Sequence, residues 1–335
     1  MQVYLVRRLF LIIPILIGLS LITFTISRIV PGDPVGLAAG PQATPEIRER
    51  LAAELGMDKS LPEQYINYMA GLLRGDFGES LYTRRQVADD LRTFIPATLE
   101  LTLAAIIFAS AIGIPMGIIS ALYQNKLPDH SARILSLFFV SFPAFWLAMI
   151  FQTQFGVNWD LAPVSGRFPR LDIPPNQITG LLTVDSLLAL DFASFGRALE
   201  HLWLPALVLS FGALASITRI TRASMLEALN NDSVKTERAI GIPWRVIVLK
   251  YVLRNAFIAT LTIISLEFGW LMAGAVLVES IFDWPGLGLY LVESSLRLDF
   301  QPIMGITMMY GIIFSLVNIL TDVAYGIIDP RIRYG

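Results

Sequence analysis

Few residues of this chain could do chemistry, and their spacing argues against catalysis. The two histidines, His130 and His201, lie in different regions and read as interfacial polar residues rather than ligands. There is no cysteine, which excludes disulfides and thiolate metal sites. None of Lys59, Lys126, Lys235 and Lys250 follows a glycine, so no GxxxxGK[ST] cradle for phosphates can be drawn. Neither HExxH nor GxSxG occurs, and no catalytic or metal-binding residue is expected. Among the acids, Glu267 sits inside the apolar run SLEFGWLMAG. A carboxylate at the bilayer centre costs several kcal/mol, so such a residue faces a protein interior or a water-filled cavity. Both a lumen-facing and a structural role are open for it. Asp322 reads as structural, and Glu100 and Glu279 are expected near the outer interface, where a carboxylate is less costly.

A polar stretch, DSVKTERAIGIPWRVIVLKYVLRNA from Asp232 to Ala256, interrupts two long apolar runs. Seven basic residues fall between Arg219 and Arg254. An apolar chain does not need such an insert to hold itself together, so it reads as a docking element for a soluble partner. The spacing predicts a short helix over 232–242, with Gly241 as its C-terminal stop and Pro243 just after. A second candidate is the turn Asp283-Trp284-Pro285-Gly286 in the segment 282–300. Pro-Gly forces a turn, and Trp284 offers a large amphipathic surface, either to a partner or as an interfacial anchor.

The elements that must position these residues are set by solvent. Hydrophobic residues make up 55% of the 335, charged residues only 16%, and mean hydropathy is +0.63. A soluble domain carries about 25% charge, and a bilayer core needs roughly 20 apolar residues per helix. Six segments qualify, near 9–30, 98–123, 134–157, 201–221, 255–281 and 302–326. Arg7 and Arg8 precede the first run as in a signal peptide, but the run continues to Val30 with no small-residue cleavage site, so it reads as a retained helix. With the N-terminus inside, the inner segments hold thirteen basic residues against five acidic ones, whereas the outer segment 31–97 holds seven against ten. This bias places both termini in the cytoplasm. The chain divides into a first helix (1–30), an extracytoplasmic subdomain (31–97) and a five-helix core (98–335) that includes the polar segment 222–254. In the subdomain, Thr44 caps a helix running to Leu55. Four prolines make 158–200 irregular. Gly113, Pro115, Gly117, Pro143, Gly269 and Gly274 interrupt the spans and read as close-packing sites or hinges.

From end to end the chain resembles the permease subunits of binding-protein-dependent ABC importers, in particular the first permease of the dipeptide, oligopeptide and nickel branch. The resemblance rests on ordered segments: RRLFLIIPILIGLSLITF with PGDP, LLRGDFGESL, PATLELTL, SFPAFWLAMI, LPALVLSFG, ITRASMLEAL, VLVESIFDWPGLGLYLVES and LVNILTDVAYGIIDPRIRYG. It implies an all-α inner-membrane protein with the six-helix type I importer permease fold. It also implies that the chain pairs with a second homologous permease, two ATPases that bind ATP and Mg²⁺, an extracytoplasmic solute-binding protein and membrane lipid. No cofactor in this chain and no nucleic acid are implied. The coupling run of the family falls on Lys235, Thr236, Glu237, Arg238, Ala239 and Gly241, where Glu237 replaces a small residue. Glu267 likewise stands where relatives often carry a neutral polar residue, and with Trp284, Pro285 and Gly286 it is a candidate for the pathway or its external gate. Peptides, nickel chelates, glutathione and short oligosaccharides all remain open as cargo. An intramembrane enzyme would need a nucleophile or metal cluster, and an autonomous channel or carrier would need no docking insert.

Overall fold

The computed structural model describes residues 2–29, 34–40, 43–54 and 56–328. The turn 31–33 and the basic residues Arg331 and Arg333, used above for resemblance and orientation, lie outside the described residues, as does Leu55. Among the described residues the chain is helical, with no strand beyond an isolated bridge between Glu79 and Gln86. Among the described residues five helices are long and apolar enough to cross a membrane, and a bent pair counted as one span makes six. The expected six spans are therefore present by length and composition.

The chain forms two compact units, Met1–Pro96 with Pro285–Leu316, and Ala97–Trp284 with Val317–Gly335. The first unit opens with α1 (Gln2–Ile29), followed by the short α2 (Pro34–Ala39), α3 (Pro45–Glu54) and α4 (Leu61–Leu73). In α3 the expected Thr44 cap is seen, its hydroxyl accepting from the Ile47 N–H at 3.4 Å. At the start of α4, Glu63 accepts from the backbone N–H and hydroxyl of Ser60 at 3.1 and 2.9 Å. Ser20 meets Tyr65 at 2.9 Å, and Phe24 packs against Tyr65 and Tyr68, which fixes α4 on α1. The first residues of α5 (Val87–Leu122) share a core with α13 (Leu287–Leu296) and the start of α14 (Phe300–Ile328), built from Val87, Leu91, Leu287, Tyr290 and Ile306. Asp299 accepts from the Ser80 hydroxyl at 2.6 Å, and Asp90 from Tyr290 at 2.9 Å. Past the turn read from sequence at Asp283–Gly286, segment 282–300 is thus largely the helix α13.

The second unit is organised around α9 (Phe192–Leu229), a 38-residue helix buried along most of its length. It begins at Phe192 rather than near 201 because Asp191 caps it, accepting from the Ser194 N–H at 3.0 Å. Gly113 and Gly117 let α5 close onto α9: a Cβ at Gly117 would lie 2.6 Å from Thr221 Cβ and 2.8 Å from the Thr218 carbonyl. Close packing is the role that geometry gives these two glycines. α12 (Leu253–Phe282) lies along the same helix, with Leu209 within 3.7 Å of the position of a Gly274 Cβ.

The third span departs from a straight helix. α6 (Leu127–Ser141) and α7 (Ala144–Phe151, continuing as a π-helix over Gln152–Asn158) meet at 93°. Pro143 is the cause: it cannot donate to the preceding turn and forces Phe142 into extended backbone (φ −108°, ψ 138°). Of the segment 158–200 expected to be irregular, 159–181, which holds all four prolines, is so, whereas 182–200 is largely helical, α8 (Leu182–Leu188) leading into α9.

Candidate functional site

The polar insert forms α10 (Asp232–Ala239). Asn231 caps its start by accepting from the Ser233 N–H at 3.3 Å, and Asp232 in the first turn complements the helix dipole. At the far end Gly241 adopts φ +84°, where its N–H reaches the Arg238 carbonyl and the Ile242 N–H reaches that of Glu237, each at 3.1 Å. This pair of bonds is a Schellman stop. The chain then enters α11 (Trp244–Val246), a π-helical turn over Ile247–Val252, and α12. Val234, 5% exposed, plugs α10 into a core of Met225, Ile247, Val248, Val252 and Ala256. Lys235, Thr236, Arg238 and Ala239 are exposed, and the Arg238 guanidinium lies 4.7 Å from the Trp244 ring centre. Glu237 is half-buried, and its Oε2 finds no hydrogen-bond partner among the described residues. With Ile240 just past its end also exposed, α10 presents a mixed polar and apolar surface held by one anchoring side chain. A short helix stopped at both ends and pinned to α9 and α12 can pass a push to them as a rigid body.

Between α6 and α9 lies an ion pair that sequence reading missed. Arg222 of α9 grips Asp129 of α6 through two bonds, Nε to Oδ1 at 2.7 Å and Nη2 to Oδ2 at 2.8 Å. The Ser120 hydroxyl and the Asn125 N–H complete the carboxylate at 2.6 and 2.9 Å, and Asp129 is fully buried. Bidentate geometry with no spare lone pair is the condition under which a buried pair holds firmly.

At the opposite end of the unit a second set of polar groups ties 159–191 to α5. Glu100 accepts from the backbone N–H and hydroxyl of Thr183, both at 2.7 Å, and from two nitrogens of Arg167, whose Nη2 also donates to the Gly180 carbonyl at 2.7 Å. Glu279 accepts from Thr98 at 2.6 Å. Both acids, at 5% and 0% exposure, are buried among protein donors. Asp185 receives the N–H groups of Ile178, Thr179 and Gly180 and the Thr179 hydroxyl. Burial alone would raise its pKa, but these donors win, so the carboxyl titrates below the usual aspartate range. A lowered folded pKa contributes stability that is present above the unfolded value and lost as pH falls through the folded one. Protease sensitivity of 159–191 should therefore stay flat down to about pH 4, near the unfolded aspartate value, and rise below it. Cleavage rising already near pH 6 would contradict this role.

The remaining candidates separate. Trp284, expected to offer its ring to a partner or to anchor at the interface, is 1% exposed. Asp283 turns left-handed (φ 48°) and directs the ring inward, where its Nε1–H donates to the Ala97 carbonyl at 2.9 Å and Arg167 stands 5.9 Å from the ring centre. The partner-contact expectation for this side chain is corrected to a structural one. Gly286 is the N-cap of α13, preceded by Pro285. Glu267 is half-buried on α12, one residue from the exposed Leu266 and three from the exposed Trp270. His130 is exposed beside Arg133, and His201 bonds the Arg197 carbonyl at 2.9 Å. No group of acids and histidines among the described residues could hold a metal ion.

Two family models cover the chain. Residues 113–334 match the binding-protein-dependent transport system inner membrane component, and residues 1–102 match the N-terminal part of such membrane components. The chain belongs to this permease family. Similar proteins include a dipeptide transport system permease of Escherichia coli K12, 40% identical over 99% of this chain and 98% of that one. A di/tripeptide transport system permease of Pseudomonas aeruginosa UCBPP-PA14 is 42% identical over 99% and 98%. A glutathione transport system permease of E. coli K12 is 35% identical over 99% of both chains. The permease is accordingly a multi-pass inner-membrane transport subunit and not an enzyme.

Proposed function

We propose that this permease is one of two membrane subunits of an ATP-driven importer of di- and oligopeptides, and that α10 couples it to a cytoplasmic ATPase. The observation that carries the coupling role is the build of α10: one buried anchor, two formal stops and an outward face of Lys235, Thr236, Arg238 and Ala239. The full-length similarity to dipeptide permeases supports the cargo class, with glutathione or a nickel chelate as the second reading. In this arrangement both termini and α10 face the cytoplasm, in line with the basic bias of those segments. The segment 31–97 and the 159–191 loop lie outside, where a solute-binding protein delivers cargo, and lipid surrounds the spans. ATP and Mg²⁺ belong to two partner ATPases, and this chain itself holds no cofactor. ATPase closure moves α10, and α10 moves α9 and α12 together.

The test of cargo is uptake of labelled dipeptide, nickel and glutathione in cells with and without this permease. Loss of dipeptide uptake alone is expected, and unchanged dipeptide uptake would overturn the peptide reading. Gly241→Val tests coupling. It forces a β-branched residue into φ +84°, and open space around the glycine means that strain rather than a clash is what changes. Uptake should fall about tenfold or more, since a strain of roughly 1–2 kcal/mol displaces the helix end, while the protein still reaches the membrane. Wild-type uptake and ATPase stimulation in this variant would count against α10 as the coupling element.

Glu267 belongs to the space shared with the second permease in this reading. A half-exposed carboxylate in mid-span is too costly against lipid, and a water-filled path relieves that cost. Glu267→Gln keeps the shape and removes the charge, so uptake of cationic and neutral dipeptides should change unequally. Equal change for both would assign the residue a structural role.

A further inference from the structure

A cavity of about 300 Å³ opens between α6 and α9 with its polar and apolar walls sorted by height. At one end stand Arg133, Arg219 and Arg222; at the other, Leu137, Val140 and Ala215. Of these three guanidinium groups, Arg222 is already held through both oxygens of Asp129. Arg133 reaches Asp129 only at 3.7 Å and is 48% exposed, with one nitrogen on His130. Arg219 is exposed and has no partner among the described residues. The three hydroxyls in the wall are already committed as donors: Ser120 to Asp129 at 2.6 Å, and Ser136 and Thr218 each to a carbonyl of their own helix at 2.8 Å. Leu137 and Val140 are 69% and 59% exposed, so the apolar wall continues onto an open helix face.

We propose that this cavity binds the headgroup of an anionic phospholipid, the phosphate held by Arg133 and Arg219 and an acyl chain laid over Leu137 and Val140. Guanidinium forks match phosphate oxygens, and basic pockets between spans at the cytoplasmic leaflet attract anionic headgroups. A free phosphate would use only the basic end, whereas a phospholipid uses both. The proposal rests on the orientation given above, which sets this end of α6 and α9 at the cytoplasmic leaflet. Arg222 lines the site and keeps its structural bond to Asp129.

The experiment is native mass spectrometry of the delipidated protein, purified with whatever subunits accompany it, titrated with phosphatidylglycerol or phosphatidylcholine of identical acyl chains. Phosphatidylglycerol should bind at least about tenfold more tightly, and Arg133→Gln and Arg219→Gln should each weaken that preference by about fivefold, the effect of one basic residue near an anionic surface. Arg219→Lys, which keeps the charge, should retain most of it, and a melting curve for each variant separates lost binding from lost folding. Equal binding of the two lipids, or a double variant as selective as wild type, would overturn the proposal. Inorganic phosphate bound as tightly as phosphatidylglycerol would also overturn it by assigning the site to soluble oxyanions. Displacement of phosphatidylglycerol by alanyl-alanine would overturn it in favour of a cargo carboxylate. A protein without peptide uptake that still selects phosphatidylglycerol would sink the importer reading and leave this site standing.

Discussion

Replacing Arg222 by alanine should leave little folded permease in the membrane. The substitution leaves the fully buried Asp129 carboxylate with Ser120 and the Asn125 N–H as its hydrogen-bond donors and only the half-exposed Arg133, at 3.7 Å, as a counter-charge. Removing one member of a buried, hydrogen-bonded pair costs about 3–5 kcal/mol, because the other charge stays out of water without compensation. That is a large share of the ~5–15 kcal/mol by which a protein domain is stable. Size-exclusion profiles of detergent extracts would read the effect. A monodisperse Arg222→Ala protein at wild-type yield would mean that Asp129 finds another counter-charge. Arg133 is the nearest, so the double change with Arg133→Ala should be worse than either alone.

Trp284→Ala should be nearly as damaging, and through folding rather than through partner recognition. The indole is 1% exposed and bonded to the Ala97 carbonyl. Truncating a buried tryptophan costs about 3–5 kcal/mol in lost contacts and cavity, and it frees a carbonyl as well. Uptake and the amount of folded protein should fall in parallel. Trp284→Phe fills most of the space and loses only the hydrogen bond, at about 1 kcal/mol, so it should restore most of both. Normal folded yield with uptake abolished would return the residue to the external, partner-facing role that its type suggests.

The contrast between these two residues shows what the sequence displayed and what it hid. Span positions were visible because hydropathy over roughly 20 residues is set by the bilayer, and the end of α10 was visible because Gly241 and Pro243 are local signals. Asp129 and Arg222 are 93 residues apart, and Glu100 and Arg167 are 67 apart, so nothing local advertises either pair. Arg222 lies on another helix than Asp129, and Arg167 lies in the irregular segment 159–181, so neither pairing shows in the run around its acid. Pro143 was visible as an interruption, but a proline fixes only a lost bond and a clash; the 93° turn follows from Phe142 going extended. Trp284 misled for a related reason. Its amphipathic ring suits a surface, and only the left-handed turn at Asp283 determines that it points inward.

The central claim is that this permease works as one part of an ATP-driven importer through α10. Affinity purification of the tagged chain from its native membrane, with identification of everything retained, tests it most directly. The account predicts a second, related permease and an ATPase pair in the eluate, with the ATPases lost from the Gly241→Val variant while the second permease stays. A chain that purifies alone and still moves peptide without ATP would contradict it.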